Sequence, residues 1–309
     1  MDLEKKIATR QSYGEALAKL GDENLKIVVL DADLSKTTKT DIFANKFPDR
    51  FFNVGIAEQN LMGVAAGLAR TGFIPYVSSF AIFAAGRAYE QIRNSIAYPK
   101  LNVKICATHS GITAGEDGAT HQMLEDISLM KTIPNMIVMS TSDDIQTKWA
   151  VNEISKINEP VYLRLARYST PVIYNLEDKF KIGKGFQFGE GNDATVIATG
   201  VTVSESLKAK KLLKEKGIDI RVIDIHTIKP IDKEIIIKAA KETNKIITVE
   251  DHNVIGGLGS TVCDVLSESF PKKVIKLGIN DEFGMSGKAY ELMKHYKIIA
   301  EDIINSVLN

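Results

Sequence analysis

Short β-branched apolar runs alternate with longer helical patterns along most of this chain, and that alternation restricts its fold more than any other feature. It is the signature of βαβ units, in which a covering helix returns each strand parallel to the last. In the first half, strands are expected at Ile27–Leu30, Val103–Ala107, Met136–Met139 and Val161–Arg164. Their unbroken apolar character suits strands covered on both faces. Helices are expected at Ser12–Leu20, Glu58–Arg70, Arg87–Ser95, Glu125–Met130 and Asp143–Ile157. The stretch Tyr168–Asn192 carries Pro171 and several glycines and reads as a linker or a small hairpin. The pattern then resumes, with strands at Thr195–Ala198, Ile220–Asp224, Ile246–Val249 and Val274–Leu277. Helices follow over Ser204–Lys216, Asp232–Glu242 and Gly257–Ser269. The expected fold is α/β, with two doubly wound domains: residues 1–175, a linker over 176–189, and a smaller domain over 190–309.

Lys plus Arg equals Asp plus Glu, 39 each, so the formal net charge is zero. That balance argues against a nucleic-acid sleeve or a binder of anionic membranes. Cys106 and Cys263 lie far apart in apolar runs, which supports neither a disulfide framework nor a cysteine-rich metal site. The expected setting is reducing and cytoplasmic. No apolar run approaches a membrane span, and the start MDLEKKIATR lacks the apolar core of a signal peptide.

The stretch FFNVGIAEQNLMGVAAGLAR, from Phe51 to Arg70, places one carboxylate, Glu58, at the head of a helix built from small and apolar residues. Such a helix packs closely, and a buried carboxylate is costly unless it is paired or used. A helix-end structural role is the plain alternative. A second cluster, HSGITAGEDGATHQ, holds two of the five histidines, two acids and three glycines between His109 and Gln122. Ligands of open α/β sheets gather at the carboxyl ends of the strands. Asp31 and Asp33, His109 and Arg167 each follow a strand candidate, so they are expected on one rim with the 109–122 loop across it. Asp31 and Asp33 also suit a strand-end turn or helix cap, and Arg167 suits either a surface ion pair or a phosphate clamp. Phe80 and Phe83, one helical turn apart, fit core packing or an aromatic wall for a flat heterocycle. Gly256-Gly257-Leu258-Gly259 follows a strand and opens a helix. It does not match the dinucleotide fingerprint and reads as close helix packing and a tight turn.

These residues carry a resemblance. VGIAEQNLMGVAAGLA, SFAIF, ATHSGITAGEDGATHQ and YLRLAR resemble the pyrimidine-binding half of transketolases, and VIDIHTIKPID with VEDHNVIGGLGS resembles the transketolase carboxyl-terminal domain. The resemblance covers nearly the whole chain. It implies a parallel-sheet domain that binds the pyrimidine of thiamine diphosphate, followed by a smaller mixed-sheet domain. By position it implies that Glu58 hydrogen-bonds the aminopyrimidine, that Phe80 and Phe83 wall it, and that Asp33 lies close to the cofactor. It further implies that His109, Asp117 and His121 hold sugar hydroxyls and assist proton transfer. Arg167 would bind phosphate at the channel mouth, with Thr37 as a weaker phosphate contact. The carboxyl-terminal domain is assigned no site residue and is expected mainly to buttress a dimer.

Two departures shape the expectation. Many transketolases carry a third aromatic after the Phe pair where this chain has Gly86, leaving Arg87 or a partner residue to complete the wall. Family members also hold the diphosphate through a metal, Mg2+ or Ca2+, bound by Gly-Asp-Gly and a downstream Asn in an amino-terminal domain. That motif is missing here; the Gly-Glu-Asp-Gly of 115–118 is a different one. The expectation is a split enzyme, in which this chain is the carboxyl-terminal subunit, provides no metal ligand, and joins an amino-terminal subunit as an α2β2 assembly acting on sugar phosphates. Three alternatives remain at this stage: a 2-oxoacid dehydrogenase β subunit, half of a deoxyxylulose-phosphate synthase, and a non-catalytic regulatory or assembly subunit.

Overall fold

Along the strand Ile27–Asp31, Ile27 and Val29 pack with Tyr13, Leu17 and Val151 on one face of the sheet. Val28 and Leu30 pack with Leu61, Met62 and Ile92 on the other. Side chains of a strand alternate between faces, so a run that is apolar at every position needs a layer on both. The helices Thr9–Glu23 and Asp144–Ser155 supply one layer, and Glu58–Arg70 leads the other. The computed structural model that displays this describes residues 2–309, and it is α/β, as expected.

The first sheet has seven strands, in the order Thr227–Lys229, Ile137–Ser140, Val161–Arg164, Lys104–Thr108, Ile74–Phe80, Ile27–Asp31 and Phe51–Asn53. All neighbours are parallel except the first pair. The second sheet has five strands, in the order Val274–Ile279, Lys245–Asn253, Ala194–Ala198, Arg221–Asp224 and Phe186–Phe188, with only the last pair antiparallel. The helix Glu58–Arg70 occupies its expected span.

Several expectations need correction. The strand Ile74–Phe80 went unread, although it is central and buried throughout. Pro75, Ser78 and Ser79 interrupt its apolar run, and proline removes a ladder donor. Ser78 is tolerated because its hydroxyl lies 2.8 Å from that of Tyr13. Phe80 therefore ends a strand and is not on one helix with Phe83. The helix expected from Arg87 instead begins at Ile82, as a π-helical turn to Arg87, a short α-turn Tyr89–Gln91 and a second π-helical turn Ile92–Ala97. The stretch 168–192 is not a hairpin. Its strand Ser169–Val172 pairs antiparallel with Asp2–Ala8, while Phe186–Phe188 lies within the expected linker and joins the second sheet. The helices Ala289–His295 and Ala300–Leu308 were also unread.

The two sheets share one continuous apolar core, in which Ile223, Ile225, Ile228 and Val262 pack with Val138, Met130 and Ile133. A buried polar hub sits on the same boundary. Asp224 Oδ2 accepts hydrogen bonds from Ser142 at 2.6 Å, Gln146 at 2.8 Å and Tyr174 at 2.6 Å. Burial outweighs these bonds and pushes the Asp224 carboxyl up from 3.8 to about 6. The folded state then holds a proton that the unfolded chain releases earlier. The resulting stabilisation is fully present below about pH 4 and is lost as pH rises through 6. The unfolding free energy of the wild type minus that of Asp224→Asn is expected to fall by up to about 3 kcal/mol across this window. Denaturant titrations of both proteins from pH 4 to 7 check this; a flat difference would remove Asp224 as the titrating group.

Candidate active site

The strands ending at Asp31, Asn53, Phe80, Thr108 and Arg164 are neighbours in one sheet, so the residues just beyond them share its carboxyl edge. Glu58 opens the helix that follows the edge strand Phe51–Asn53. Its side chain is 2% exposed and meets the Arg87 guanidinium at 2.8 Å, while the Arg87 side chain is 50% exposed. Arg87 also lies 4.7 Å from the Phe83 ring centroid. It thus covers the Phe83 ring from the residue next to Gly86.

Phe80 and Phe83 stack with centroids 5.9 Å apart, and the His109 ring stacks on Phe80 at 3.8 Å. His121 meets Phe83 edge-on at 5.4 Å. Phe80, Phe83, His109 and His121 are therefore one aromatic group. His109 sits in left-handed backbone, φ 57°, and is 1% exposed. Asp33 and Lys39 also have positive φ, at 63° and 71°. Strained backbone of this kind concentrates where surrounding structure fixes a side chain for a task.

His109 Nε2 lies 3.2 Å from Arg10 Nη1, and its Nδ1 lies 2.9 Å from the Thr108 hydroxyl. A guanidinium only donates, so Nε2 accepts and Nδ1 carries the proton. Burial first, and then Arg10, Arg167 and His121, depress the imidazole to about 3, so it is neutral at physiological pH. Burial and the neighbouring Arg167 also lower the affinity of Arg10 for its proton. Two guanidiniums that repel one another across a cleft are poised for an anion.

That cleft, about 460 Å³, is lined by Arg10, Lys36, Thr37, Lys39, Phe80, His109, Asp117, His121 and Arg167. Arg167 donates to the Ala114 carbonyl at 2.9 Å and to Asp117 at 3.1 Å. Thr37 enters through its backbone as well, since its carbonyl accepts from Arg10 at 2.9 Å. Asp31 proves structural: it is buried and accepts from Leu34 N, Thr38 and Thr40. Asp33 is exposed and held against Asn53, its amide 3.1 Å from Asn53 Oδ1. Among the described residues, no group of three or more His, Cys, Asp or Glu is placed to hold a metal.

Arg10, Lys36 and Lys39 escaped the sequence reading. Arg10 lies in the first turn of the helix Thr9–Glu23, far from any motif. The pairing of Asp2–Ala8 with Ser169–Val172, and the bond from Ala166 N to the Thr9 hydroxyl at 2.7 Å, carry it beside Arg167. Gly257, by contrast, was read correctly: a Cβ there would overlap the Glu250 carboxylate, which accepts from Leu258 N and Gly259 N.

Comparison with known proteins agrees with this geometry. Residues 5–172 match the transketolase pyrimidine-binding domain and residues 183–303 the transketolase C-terminal domain. A Methanocaldococcus jannaschii chain named as a transketolase C-terminal section is 52% identical, over 97% of this chain and 95% of its own length. A 6-deoxy-6-sulfo-D-fructose transketolase subunit from Clostridium sp. strain MSTE9 is 38% identical over 96% of this chain and 92% of its own. A solved structure described as a split-gene transketolase, an inactive β4 tetramer, superimposes with a TM-score of 0.91 at 52% identity. It covers 98% of this chain and 97% of its own. With both domain models matched and relatives of this identity along nearly its full length, the chain belongs to the transketolase family.

Proposed function

We propose that this chain is the carboxyl-terminal subunit of a split, thiamine-diphosphate-dependent transketolase, moving a two-carbon ketol unit from a ketose phosphate to an aldose phosphate. A separate amino-terminal subunit would supply the diphosphate and metal half in an α2β2 assembly. The observation that carries the reading is a half-site. Glu58, a buried carboxylate, pairs with Arg87, which covers Phe83 of the stacked Phe pair, and Phe80 of that pair lines a cationic cleft. Next to it, the helix Glu58–Arg70 leaves Gln59, Asn60, Gly63 and Gly67 exposed, and a Cβ at either glycine meets nothing within 4 Å. Ile56 is 78% exposed on the approach to Glu58. Relatives that are themselves subunits or sections of similar length support the same division.

The donor set fits the pyrimidine end of the cofactor: a carboxylate for a ring N–H and flat aromatic walls. It does not include ligands for a diphosphate-bound metal, which the partner would bring. When bound, thiamine diphosphate supplies the carbon nucleophile for the ketose carbonyl. This chain's own part is positional and protonic. Glu58 would accept from the pyrimidine ring N–H, and Phe80 and Phe83 would hold the ring's plane. His109, neutral and with Nε2 as acceptor, would accept a hydrogen bond from a sugar hydroxyl once Arg10 turns to the phosphate. His121 and Asp117 flank the same hydroxyls. Arg10 and Arg167, with Lys36 and Lys39 at the rim, clamp the terminal anion.

The test is an assay of the chain with its amino-terminal partner. Xylulose 5-phosphate plus ribose 5-phosphate should turn over, whereas pyruvate plus glyceraldehyde 3-phosphate should not. Activity only with the second pair would overturn the reading. A guanidinium pair also suits a sulfonate, so the sulfo-sugar named for the Clostridium relative belongs in the substrate panel. Arg10→Ala and Arg167→Ala are each expected to raise KM for sugar phosphates by about tenfold or more. An unphosphorylated ketose should be little affected; equal losses on both substrates would remove the phosphate clamp.

A further inference from the structure

The loop that carries the substrate-binding groups is held from the other domain. After His109, the chain turns through Gly111 at φ 74° into the 3-10 turn Ile112–Asp117. Asp251, on the second-domain strand Lys245–Asn253, reaches into that turn. Its Oδ1 accepts from the Ile112 amide at 2.7 Å and its Oδ2 from the Thr113 hydroxyl at 2.7 Å. Both partners and the carboxylate are at most 1% exposed. A Cβ on Gly111 would overlap the Asp251 carboxylate, so the glycine makes room for this contact.

The placement of Asp251 is itself built. The pairing of its strand with Val274–Ile279 shifts register between Val249 and Asn253. Such an irregularity re-aims side chains, and here Glu250, Asp251 and His252 are all buried in succession. The Asp251 carbonyl accepts from Arg164 at 2.6 Å, and Arg164 is paired with Asp126. Farther along, Gln122 donates to the Gly115 and Met285 carbonyls, at 3.0 Å and 2.9 Å, and Ser286 donates to the Glu116 carbonyl.

We infer that Asp251 is a positioning residue for substrate binding: it fixes the turn at Ile112 and Thr113, and thereby the settings of His109, Asp117 and His121. The second domain thus sets the affinity for substrate without touching it. This assignment rests on the transketolase reading of the cleft, but its first test does not. Removing two hydrogen bonds to one carboxylate frees the loop, while the Phe80–Phe83 stack, which lies outside it, stays in place. Amide hydrogen exchange over residues 109–121 is expected to speed up by about tenfold or more in Asp251→Ala. The strands Lys104–Thr108 and Ile74–Phe80 should keep their wild-type protection. In the enzyme assembled with its partner, KM for the ketose phosphate should rise by about tenfold, with kcat and thiamine diphosphate affinity within about twofold.

Asp251→Asn keeps an acceptor for the Ile112 amide and should restore KM to within about threefold of wild type. Thr113→Val removes one of the two bonds without touching the second domain. It provides the same reading, about half as large on a logarithmic scale, should Asp251→Ala fail to fold. Unchanged loop exchange and unchanged KM in either folded variant would overturn the proposal. So would a uniform loss of KM, kcat and cofactor affinity with no rescue by Asn, which is the mark of a merely structural contact. If the wild-type assembly lacked ketol transfer, the functional reading would fail, while the exchange measurement would still decide whether Asp251 holds the loop.

Discussion

Glu58→Gln, assembled with the amino-terminal partner, is expected to lose roughly 10²–10⁴-fold in turnover while retaining its fold. The carboxylate is 2% exposed and heads a helix whose outer face is uncovered at Gly63 and Gly67. Glutamine preserves its shape, but on the proposed reading its neutral amide oxygen would hold a ring N–H far less strongly than a carboxylate does. The effect on stability should be small. Arg87, the one ion-pair partner, is half-exposed and returns to water, so no buried charge is stranded. Steady-state turnover, thiamine diphosphate titration and a thermal melt together check this. Undiminished turnover in a folded variant would favour a scaffold role for the chain, because a scaffold needs nothing from this carboxylate.

The largest expected effect on stability lies elsewhere, at Arg164. Its guanidinium is 5% exposed and Asp126 is fully buried; Nε meets the two carboxylate oxygens at 3.1 Å and 2.9 Å. Tyr162 donates to the same carboxylate at 2.8 Å, and His252 Nε2 is 3.9 Å from it. His252 is held neutral, with burial depressing it to about 4, so it offers Asp126 no balancing charge near neutrality. Arg164→Met therefore leaves a carboxylate in the core with little but a phenol. The expected cost is about 3–5 kcal/mol, the usual penalty for stripping one partner from a buried pair. Replacing both residues, as Asp126→Leu with Arg164→Met, should recover part of that loss, because Asp126 is then no longer stranded, although Asp251 and Glu250 still lose the nearby guanidinium. Denaturant unfolding of the two single variants and the double variant measures the coupling. A loss under about 1 kcal/mol for Arg164→Met would show that water or His252 replaces the guanidinium.

Arg164 also donates to the Asp251 carbonyl, so the pair braces the same strand that holds the 109–122 loop. Stability and substrate affinity are expected to be coupled through this one guanidinium.

Read residue by residue, the sequence by itself determined the α/β class, the span of the helix Glu58–Arg70 and the gathering of Glu58, His109, Asp117, His121 and Arg167 at one sheet edge. Those properties follow from local periodicity and from the rule that side chains just past parallel strands share an edge, so neighbouring residues suffice to reveal them. The strand Ile74–Phe80 was hidden because Pro75, Ser78 and Ser79 break its pattern, and it is secured by partners on both sides and by Tyr13, 65 residues away. Arg10 reached the cleft through the pairing of Asp2–Ala8 with Ser169–Val172 and the bond from Ala166 N to Thr9, and Asp251 reached the 109–122 loop across 139 residues of chain. Contacts of that separation leave no local signature. The tertiary structure alone decided them, because buried donors and carboxylates must find partners wherever the packed sheets bring them together.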